Sequence, residues 1–319
     1  MKVLITGVHG FVGSNLVEYL KKDNIIYGLD IISPLKDGVR FTFPWGFLEK
    51  PGEIPDVDAI IHLAGKAHDV KSGGKGQEEE YMKINCGLTE RIFDYFLAHD
   101  SIKKFVFFST AKAAADRVEG VLTEDVVPAP VGPYGESKIV AERYLLSKME
   151  EVRSKSKDVF IFRPCMIHGP GNKGNLNLLY NVVKKGIPWP LGSFENRRTF
   201  TSIGNICFAV NGVLTQDVLS GIYNMGDDEA LSTNELIEII CSAMGKKAHI
   251  WKLPKGLMTG IAKMGGYLHL PLNPERLQKL TENYVSSNDK IKKALGVERM
   301  PVDAKDGLYK TIKSFSIIE

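Results

Sequence analysis

The chain has 319 residues, of which 44% are hydrophobic and 25% are charged, and its formal net charge is +3. This composition is typical of a soluble globular protein with one large domain or two unequal ones, and so small a net charge gives no reason to expect nucleic acid as a partner. The four cysteines contain no C-x-x-C pair, so the sequence predicts neither a metal site nor a disulfide framework, and a reducing cytoplasm is favoured.

The start of the chain and its apolar segments give no membrane signal. Met1 and Lys2 lead straight into a strand-like run, which leaves no room for a signal peptide. No apolar run approaches the length of a membrane span. We therefore expect a cytoplasmic protein without stable membrane insertion. Residues 256–270 are apolar and rich in glycine, and there a packed helix is favoured, with weak membrane contact as the alternative.

The first 160 residues alternate short β-branched or aromatic runs with amphipathic stretches. Strands are predicted at residues 2–6, 25–30, 59–63, 105–109 and 159–163. Helices are predicted near residues 11–22, 79–99 and 134–150. This alternation predicts right-handed βαβ units and a doubly wound parallel sheet, which is a Rossmann-like α/β fold. Residues 31–57 show too little periodicity for a strand or a helix and are predicted to be irregular.

The second half of the chain differs in composition and contains predicted loops rich in Gly, Asn and Pro. Helices are predicted near residues 176–185, 205–215, 233–244, 255–267 and 304–315, with a strand at 221–225. We interpret residues 1–168 as a dinucleotide-binding domain to which residues 199–230 return. Residues 169–198 and 231–319 would form a smaller mixed α/β domain over the crevice, where a nucleotide-sugar substrate would bind.

A glycine-rich turn follows the first predicted strand. Gly7, Gly10 and Gly13 have the spacing G-x-x-G-x-x-G, which is looser than the G-x-G-x-x-G dinucleotide fingerprint and is also compatible with a simple turn. A strand, a tight turn and a helix place backbone N–H groups and the positive end of a helix dipole against a pyrophosphate. Asp30 ends the second strand, where a carboxylate accepts hydrogen bonds from the adenosine ribose and repels a 2′-phosphate. The two isoleucines that follow offer no cation to that phosphate, so NAD(H) is predicted rather than NADP(H).

Tyr134 and Lys138 lie four residues apart, one βα unit after the hydroxyls of Ser109 and Thr110. Residues i and i+4 share one face of a helix, so the Lys138 ammonium is expected to lie beside the Tyr134 phenol and to lower its pKa from about 10 toward neutrality. A Tyr-x-x-x-Lys pair alone can equally be a solvated helix face. Its position after a buried strand that ends in two hydroxyls indicates a hydride-transfer site, because that end of a parallel sheet faces the ligand crevice.

Together these motifs make the chain resemble the extended short-chain dehydrogenase/reductase family, in its nucleotide-sugar epimerase/dehydratase group. The resemblance runs nearly end to end and rests on the glycine loop, residues 56–65, 85–89, 109–110, 134–138, 163–164, 169–171 and 295–296. Residues 62–68, 109–112, 188–192 and 196–198 look most like bacterial surface-polysaccharide enzymes that act at C4 of UDP-N-acetylhexosamines, including 4-keto-reductases and 4-epimerases.

The resemblance implies a role for each matching residue. Tyr134 would be the acid/base, Thr110 would hydrogen-bond the sugar oxygen, and Lys138 would tune Tyr134 and hold the nicotinamide ribose. The cofactor-binding residues would be Gly7, Gly10, Phe11, Val12, Gly13, Asp30, Leu63, Ala64, Gly65, Asn85, Ser109, Tyr134, Lys138 and Pro164. The UDP-sugar would be bound by His68, Thr110, Asn175, Arg198 and Arg276. Family members commonly dimerise through the helices at residues 79–99 and 134–150, so a homodimer is expected.

Several reactions are compatible with such a site. Ala111 follows Thr110 where dehydratases of this group carry an acid, so dehydration is disfavoured. What remains is NAD-dependent redox at C4 of a UDP-hexosamine. The favoured prediction is reduction of a UDP-4-keto-6-deoxy-N-acetylhexosamine in surface polysaccharide biosynthesis, and the alternative is a UDP-hexose or UDP-N-acetylhexosamine 4-epimerase. A dinucleotide-sensing regulator without catalysis is a third possibility, disfavoured because Tyr134 and Lys138 are intact.

Two departures from the family pattern concern the pocket itself. Members usually carry a third strand that ends in Asp-Leu or Asp-Ile and holds the adenine, and residues 39–50 contain no such pair. After the serine and threonine, members usually have a Tyr-Gly or an Asn-Gly, whereas this chain has residues 113–116 as Ala-Ala-Ala-Asp. Unusual adenine contacts and an unusual floor of the sugar pocket are therefore expected.

Overall fold

A computed structural model describes residues 1–50, 54–67, 77–172, 174–268 and 272–315. Its strands are β1 (Lys2–Thr6), β2 (Ile25–Leu29), β3 (Val39–Phe43), β4 (Ala59–His62), β5 (Lys104–Phe108), β6 (Val121–Leu122), β7 (Asp158–Pro164), β8 (Met166–His168), β9 (Phe200–Ser202), β10 (Gly221–Met225) and β11 (Val285–Ser286).

The helices of the first half are α1 (Phe11–Leu20), α2 (Gln77–Tyr81), α3 (Leu88–Ala98), α4 (Ala111–Ala114), α5 (Pro133–Ser147) and α6 (Met149–Ser154). Those of the second half are α7 (Asn175–Lys184), α8 (Ile203–Thr215), α9 (Thr233–Ala243), α10 (Lys255–Tyr267), α11 (Pro274–Thr281), α12 (Asp289–Ala294) and α13 (Ala304–Phe315). A 3₁₀ turn spans Trp45–Glu49, and a π-helical segment, Met82–Gly87, joins α2 to α3.

Seven strands form one parallel sheet in the order β3-β2-β1-β4-β5-β7-β10. From β1 the chain adds β2 and β3 on one side, and then crosses back to add β4 on the other side of β1. In open α/β sheets the ligand crevice lies at such a switch point, outside the carboxyl ends of the strands. The strands are continuous apolar runs because both faces of the sheet are covered by helices. The predicted doubly wound, Rossmann-like fold is confirmed.

Separate hydrophobic clusters fill the two sides of the sheet. One cluster packs α1 and α8 against the sheet, and the other packs α3 and α5 against the opposite face. A third cluster lies apart from both and is built mainly from α7, α9, α10, α11 and α13. Such a separate core is what the predicted smaller domain requires, and the exact division of the chain into domains stays a prediction.

The long helices and the inner strands lie where the sequence predicts them, but two of the helices are interrupted. The helix predicted near residues 79–99 is divided by the π-helical segment, and the one predicted near 134–150 breaks at Lys148 between α5 and α6. A π turn inside a helix is rare and is frequent at functional sites. Here it lies at Asn85, one of the predicted site residues.

The prediction of irregular structure over residues 31–57 is wrong at Val39–Phe43, which forms β3. This strand lies at the edge of the sheet, pairs only with β2, and has a register shift opposite Ile26 and Tyr27. Arg40 and Phe41 are exposed, so the run is neither a buried apolar strand nor a clean alternation. Short edge strands of this kind give a weak sequence signal because tertiary pairing, rather than local pattern, stabilises them.

Candidate active site

A cavity of about 770 Å³ opens at the carboxyl ends of β1, β4, β5 and β7. Thirteen of the predicted site residues line it: Gly7, Gly10, Phe11, Val12, Gly13, Leu63, Gly65, Ser109, Thr110, Tyr134, Lys138, Pro164 and Arg198. These residues come from segments spread over nearly 200 positions of the chain. The fold therefore brings the glycine loop, the two hydroxyls and the Tyr-Lys pair to one crevice.

The glycine loop leaves the first turn of α1 open toward this cavity. Gly10 is the N-cap of α1, makes no side-chain cap, and no acidic residue lies in the first turn. The early N–H groups of a helix have no intrahelical partner, so here they are available to an anion. At Gly13 an added Cβ would lie 2.4 Å from the Gly7 oxygen and 2.8 Å from the Val8 Cα. Glycine there allows α1 to pack against the loop, which fits a pyrophosphate-binding turn.

Asp30 follows β2 at the same end of the sheet. Its Oδ2 accepts a hydrogen bond from the His9 N–H at 3.1 Å, and its Oδ1 accepts one from the Ile31 N–H at 2.7 Å. Burial lowers the pKa of His9, while the negative charge of Asp30 raises it and the positive charge of Lys36 lowers it. The Asp30 carboxylate is thus fixed by two backbone donors beside the glycine loop, where an adenosine ribose would be bound.

We expect Asp30→Ala to weaken NAD(H) binding far more than NADP(H) binding, because the carboxylate accepts from ribose hydroxyls and repels a 2′-phosphate. Fluorescence titration of the protein with NADH and with NADPH measures the two affinities. Asp37→Ala is the matched control, since that exposed carboxylate pairs with Lys21 at 2.6 Å. Equal losses for both dinucleotides would contradict the assigned role of Asp30.

A buried hydrogen-bonded chain fixes the loop that follows β4. Thr6 Oγ1 accepts from the N–H groups of Leu63 and Ala64, at 3.1 and 3.0 Å, and lies 2.7 Å from His62 Nδ1. His62 Nε2 lies 2.9 Å from Thr89 Oγ1. Burial and the charge of Lys138 hold the pKa of His62 well below its usual value, so the imidazole is neutral. Since Thr6 already accepts twice, its hydroxyl donates to Nδ1, and His62 Nε2–H donates to Thr89.

Asn85 belongs to this structural framework. Its Oδ1 accepts from the Lys66 N–H at 2.7 Å, and its Nδ2 donates to the Lys66 carbonyl and to Ser137 Oγ, both at 3.0 Å. The side chain is fully buried. Oδ1 also lies so close to Gly65 that an added Cβ there would come within 2.9 Å of it. Asn85 therefore holds the 65–67 loop in place behind the cavity instead of lining it.

Thr110 and Tyr134 face the cavity from the starts of two helices. Thr110 is the N-cap of α4, and its Oγ1 accepts from the Lys112 N–H at 3.3 Å. Tyr134 is the second residue of α5, directly after Pro133, whose fixed φ suits the first turn of a helix. Burial raises the pKa of Tyr134, and a side-chain hydrogen bond with Thr110 opposes that shift. The two side chains are thus coupled at the position predicted for the reacting sugar oxygen.

The predicted lowering of the Tyr134 pKa by Lys138 is wrong for this structure. The Lys138 Nζ donates to the Phe108 carbonyl at 2.8 Å and lies 4.8 Å from the centroid of the Phe107 ring. Burial lowers the pKa of Lys138 to about 8, and the charge of Glu142 partly offsets this. The ammonium, although it lines the cavity, is thus held by the carboxyl end of β5, and at Tyr134 the cost of burying a phenolate is the larger effect.

Behind the cavity lies a buried ion pair that the sequence analysis did not single out. Arg163 donates to Glu142 through Nε, at 3.0 and 3.1 Å from the two carboxylate oxygens, and through Nη2, at 2.5 Å from Oε2. Ser109 Oγ donates to Glu142 Oε1. Both charged side chains are almost completely inaccessible to solvent. Ser109, which lines the cavity, is thus held in one orientation by a carboxylate that also faces Lys138.

The predicted substrate-binding residues have different positions. Arg198 lines the cavity, and its Nη1 donates to the Lys279 carbonyl, while burial lowers its pKa. Asn175 is the first residue of α7. Arg276 lies on α11 with an exposed side chain and does not line the cavity. His68 lies outside the described residues. Of the two arginines predicted to bind the substrate, Arg198 is therefore the one that lines the cavity.

Further residues line the cavity and were not predicted as site residues. They include Lys112, Cys165 and Tyr284. Lys112 Nζ pairs with Asp116 at 2.8 Å and lies 4.9 Å from the Tyr284 ring centroid. Tyr284 donates to the Ala115 carbonyl at 2.9 Å, and burial raises the pKa of Cys165 to about 12. The unusual 113–116 segment is thus covered by a tyrosine from far along the chain, which no local pattern indicates.

Comparison with known proteins identifies the family of the chain. Residues 3–226 match the family model described as the NAD dependent epimerase/dehydratase family. A UDP-glucose 4-epimerase of Vibrio cholerae is 31% identical over 265 residues, covering 79% of this chain and 78% of that protein. A dTDP-glucose 4,6-dehydratase of Streptomyces niveus is 25% identical over 268 residues, covering 77% and 78%. The UDP-glucuronic acid 4-epimerase of Bacillus cereus, solved with NAD, superimposes over 100% of both chains with a TM-score of 0.74 at 20% identity.

The fold and the site define an α/β enzyme built to bind a dinucleotide beside a Tyr-Lys pair. The chain belongs to the NAD-dependent epimerase/dehydratase family. This confirms the resemblance to extended short-chain dehydrogenase/reductases, the prediction of an NAD-dependent nucleotide-sugar enzyme, and NAD(H) as its cofactor. Within the part of the chain that is described, no helix is long and apolar enough to cross a membrane.

Proposed function

We propose that this protein is an NAD-dependent UDP-sugar 4-epimerase. The observation that carries the proposal is the joint placement of Thr110, Tyr134 and Lys138 on one cavity, next to the open N-terminus of α1. Support for the reaction comes from the Vibrio cholerae relative, which is named a UDP-glucose 4-epimerase and matches over most of both chains. Among the reactions considered, this relative favours epimerisation over the predicted net reduction.

In the proposed reaction, a bound NAD would supply reversible hydride transfer at C4 of the sugar, and the glycine loop and Asp30 would hold it. The protein's own groups move the matching proton. Tyr134 takes the proton of the 4-hydroxyl as C4 is oxidised and gives it back as the ketone is reduced, and Thr110 keeps the 4-oxygen within reach by hydrogen bonding. Arg198 would hold the diphosphate while the sugar ring rotates to present its opposite face. The chain's contribution is orientation and proton transfer.

The residue after Thr110 argues against dehydration. Loss of water across C5 and C6 of a 4-keto sugar needs a further acid and base close to the hydride site. Ala111 lies there, is buried, and carries no ionisable group. Lys112 is present, but its ammonium is paired with the Asp116 side chain and with the Asp116 carbonyl, each at 2.8 Å. The positions that would supply an acid and a free base are thus occupied by a methyl group and an ion-paired cation.

Net reduction of a UDP-4-keto-6-deoxy-N-acetylhexosamine is the second candidate. Burial raises the pKa of Tyr134, so the phenol is protonated near neutrality. A protonated phenol is the state that donates a proton to a ketone, as reduction requires from its first step. An epimerase that begins with a sugar alcohol needs the Tyr134 phenolate first. The raised pKa of Tyr134 therefore favours net reduction.

One experiment separates the two candidates. Purified protein would be incubated with NAD or NADH and a panel of UDP-glucose, UDP-N-acetylglucosamine, UDP-glucuronic acid and a UDP-4-keto-6-deoxy-N-acetylhexosamine. Proton NMR would identify the sugar products and absorbance at the NADH band would follow the cofactor. We expect isomerised sugar without net use of cofactor. Stoichiometric loss of NADH with the keto sugar would establish the reductase instead, and no turnover of any member would reject both.

We also propose a homodimer through the surface formed by α3 and α5. Within one subunit these two helices are linked by a hydrogen bond of 2.5 Å from Tyr144 Oη on α5 to Asp94 Oδ1 on α3. Static light scattering after size-exclusion chromatography measures the molar mass directly.

A further inference from the structure

Helix α10 exposes a continuous apolar stripe. Leu257, Ile261, Met264 and Leu268 follow one another at intervals of four, three and four residues, which places them on one face of a helix. Their exposures are 52%, 42%, 63% and 64%. The face that α10 buries is a different one, formed by Met258, Ala262 and Gly265. The stripe is thus not the side by which α10 joins the third hydrophobic core.

Two aromatic side chains extend this surface. Tyr267, at the end of α10, is 86% exposed and Trp251, just before the helix, is 54% exposed. The backbone of Trp251 is held in a ladder: its N–H donates to the Trp189 carbonyl at 2.8 Å, and its carbonyl accepts from the Gly192 N–H at 3.0 Å. The indole is therefore presented to solvent from a fixed backbone. Trp and Tyr are the residues enriched where a protein meets the headgroup level of a membrane.

The charge around the stripe has one sign. Between Glu238 and Glu275 the sequence contains no acidic residue and five lysines: Lys246, Lys247, Lys252, Lys255 and Lys263. The nearest acid on the helix that packs against α10 is Glu275, and Lys279 pairs with it at 2.6 Å. Lys255 and Lys263 lie on α10 itself, which carries no acidic residue, so the helix that bears the stripe is positively charged.

This charge decides between possible occupants of the stripe. A second copy of the chain, packed face to face on α10, would bring Lys255 and Lys263 against the same two lysines of the partner, and like charges across an interface oppose association. An anionic lipid surface is complementary to both features, because it accepts an apolar helix face at the headgroup boundary and attracts lysines. None of the stripe residues lines the active-site cavity, so occupation of the stripe leaves the crevice open.

We propose that α10 and Trp251 form a reversible docking surface for an anionic membrane, with the helix lying in the plane of the interface. The stripe contacts the outer acyl region, Trp251 and Tyr267 lie at the headgroup level, and the lysines contact anionic headgroups. The inference does not depend on the reaction that the active site catalyses. It places the enzyme at a membrane surface while its catalytic cavity remains in water.

Vesicle sedimentation tests this proposal on the full-length protein. Vesicles of phosphatidylcholine alone are compared with vesicles that also contain phosphatidylglycerol. We expect binding to the anionic vesicles, and a loss of about tenfold or more in the double variant Ile261→Ser, Met264→Ser, which removes apolar contact. The variant Lys255→Gln, Lys263→Gln should lose roughly fivefold for each lysine. Leu219→Ser is the matched control, because that leucine is 84% exposed elsewhere and should not affect binding.

Indole fluorescence gives a local readout. On anionic vesicles the emission of the wild-type protein should shift to shorter wavelength. Trp251→Phe should abolish the shift, since Trp189 is buried and Trp45 packs against the cluster of α3 and α5, outside the proposed docking surface. The proposal would be overturned if the wild type did not bind anionic vesicles, or if the Ile261→Ser, Met264→Ser variant bound them as well as the wild type. Light scattering that shows self-association of the wild type and its loss in the stripe variant would also overturn it, by assigning the stripe to an interface between copies.

Discussion

Replacing Tyr134 by Phe is expected to lower turnover by about 100-fold or more, the usual contribution of a positioned acid/base. The change removes one hydroxyl and keeps the ring, so the packing against Tyr81, whose ring centroid lies 6.3 Å away, is retained. NAD(H) binding should stay nearly intact, because the glycine loop and Asp30 are untouched. Steady-state kinetics with the substrate identified by the UDP-sugar panel measure the first effect, and fluorescence titration with NADH measures the second.

Tyr144→Phe is the matched control for this experiment. Tyr144 is on the same helix, and its hydroxyl bonds Asp94 at the protein surface, away from the cavity. Its loss should leave turnover close to the wild-type value. A Tyr134→Phe enzyme with wild-type rates would show that another group transfers the proton, and a loss of the same size in both variants would indicate a general effect on helix α5.

Replacing Glu142 by Gln is expected to destabilise the protein by about 3 to 5 kcal/mol, because it leaves the buried Arg163 charge without its partner. Glu142 is fully buried and Arg163 is 1% exposed, so water cannot take over the lost interaction. The free energy of unfolding is measured by urea denaturation. Glu150→Gln, a change at an exposed glutamate on α6, should alter stability by no more than about 0.5 kcal/mol.

A double variant distinguishes an unpaired charge from a simple packing defect. Glu142→Leu combined with Arg163→Met removes both charges and keeps apolar volume, and replacing a buried ion pair in this way is often neutral or stabilising. We expect the double variant to recover most of the stability that Glu142→Gln loses. Equal instability of the two variants would show that the loss comes from packing around α5.

The same substitution at Glu142 should also change how NAD(H) affinity depends on pH. The charge of Glu142 raises the pKa of Lys138, which burial holds at about 8. Without that carboxylate the pKa falls further, so Lys138 loses its proton at lower pH and affinity should decline earlier as pH rises. A purely structural role of Glu142 would lower stability without moving this profile.

The features that the sequence predicts correctly are those that are encoded locally. The inner strands are short apolar runs, the helices are amphipathic, and the glycine loop lies between β1 and α1 in sequence as well as in space. The edge strand β3 was missed because its stability comes from pairing with β2. Its exposed Arg40 and Phe41 give no signal of burial.

Properties of the site that depend on burial could not be predicted from spacing. The interval between Tyr134 and Lys138 correctly places both on one face of α5, toward one cavity. It cannot show that the Lys138 cation is directed to the Phe108 carbonyl, nor that the phenol is sufficiently buried to raise its pKa. Tyr284 was missed for a related reason, because it reaches the cavity through long-range pairings, of β11 with β6 and of Tyr284 itself with Arg198.

The inaccessibility of Glu142 means that dissolved ions screen its effect on Lys138 only weakly. Arg198, in contrast, lines the open cavity, where mobile ions compete with a bound diphosphate. Under the proposed roles of Arg198 and Tyr134, we expect ionic strength to act on capture of the substrate and to leave the proton-transfer step nearly unchanged. Salt titration offers a way to examine the two halves of the catalytic cycle separately in an unmodified enzyme.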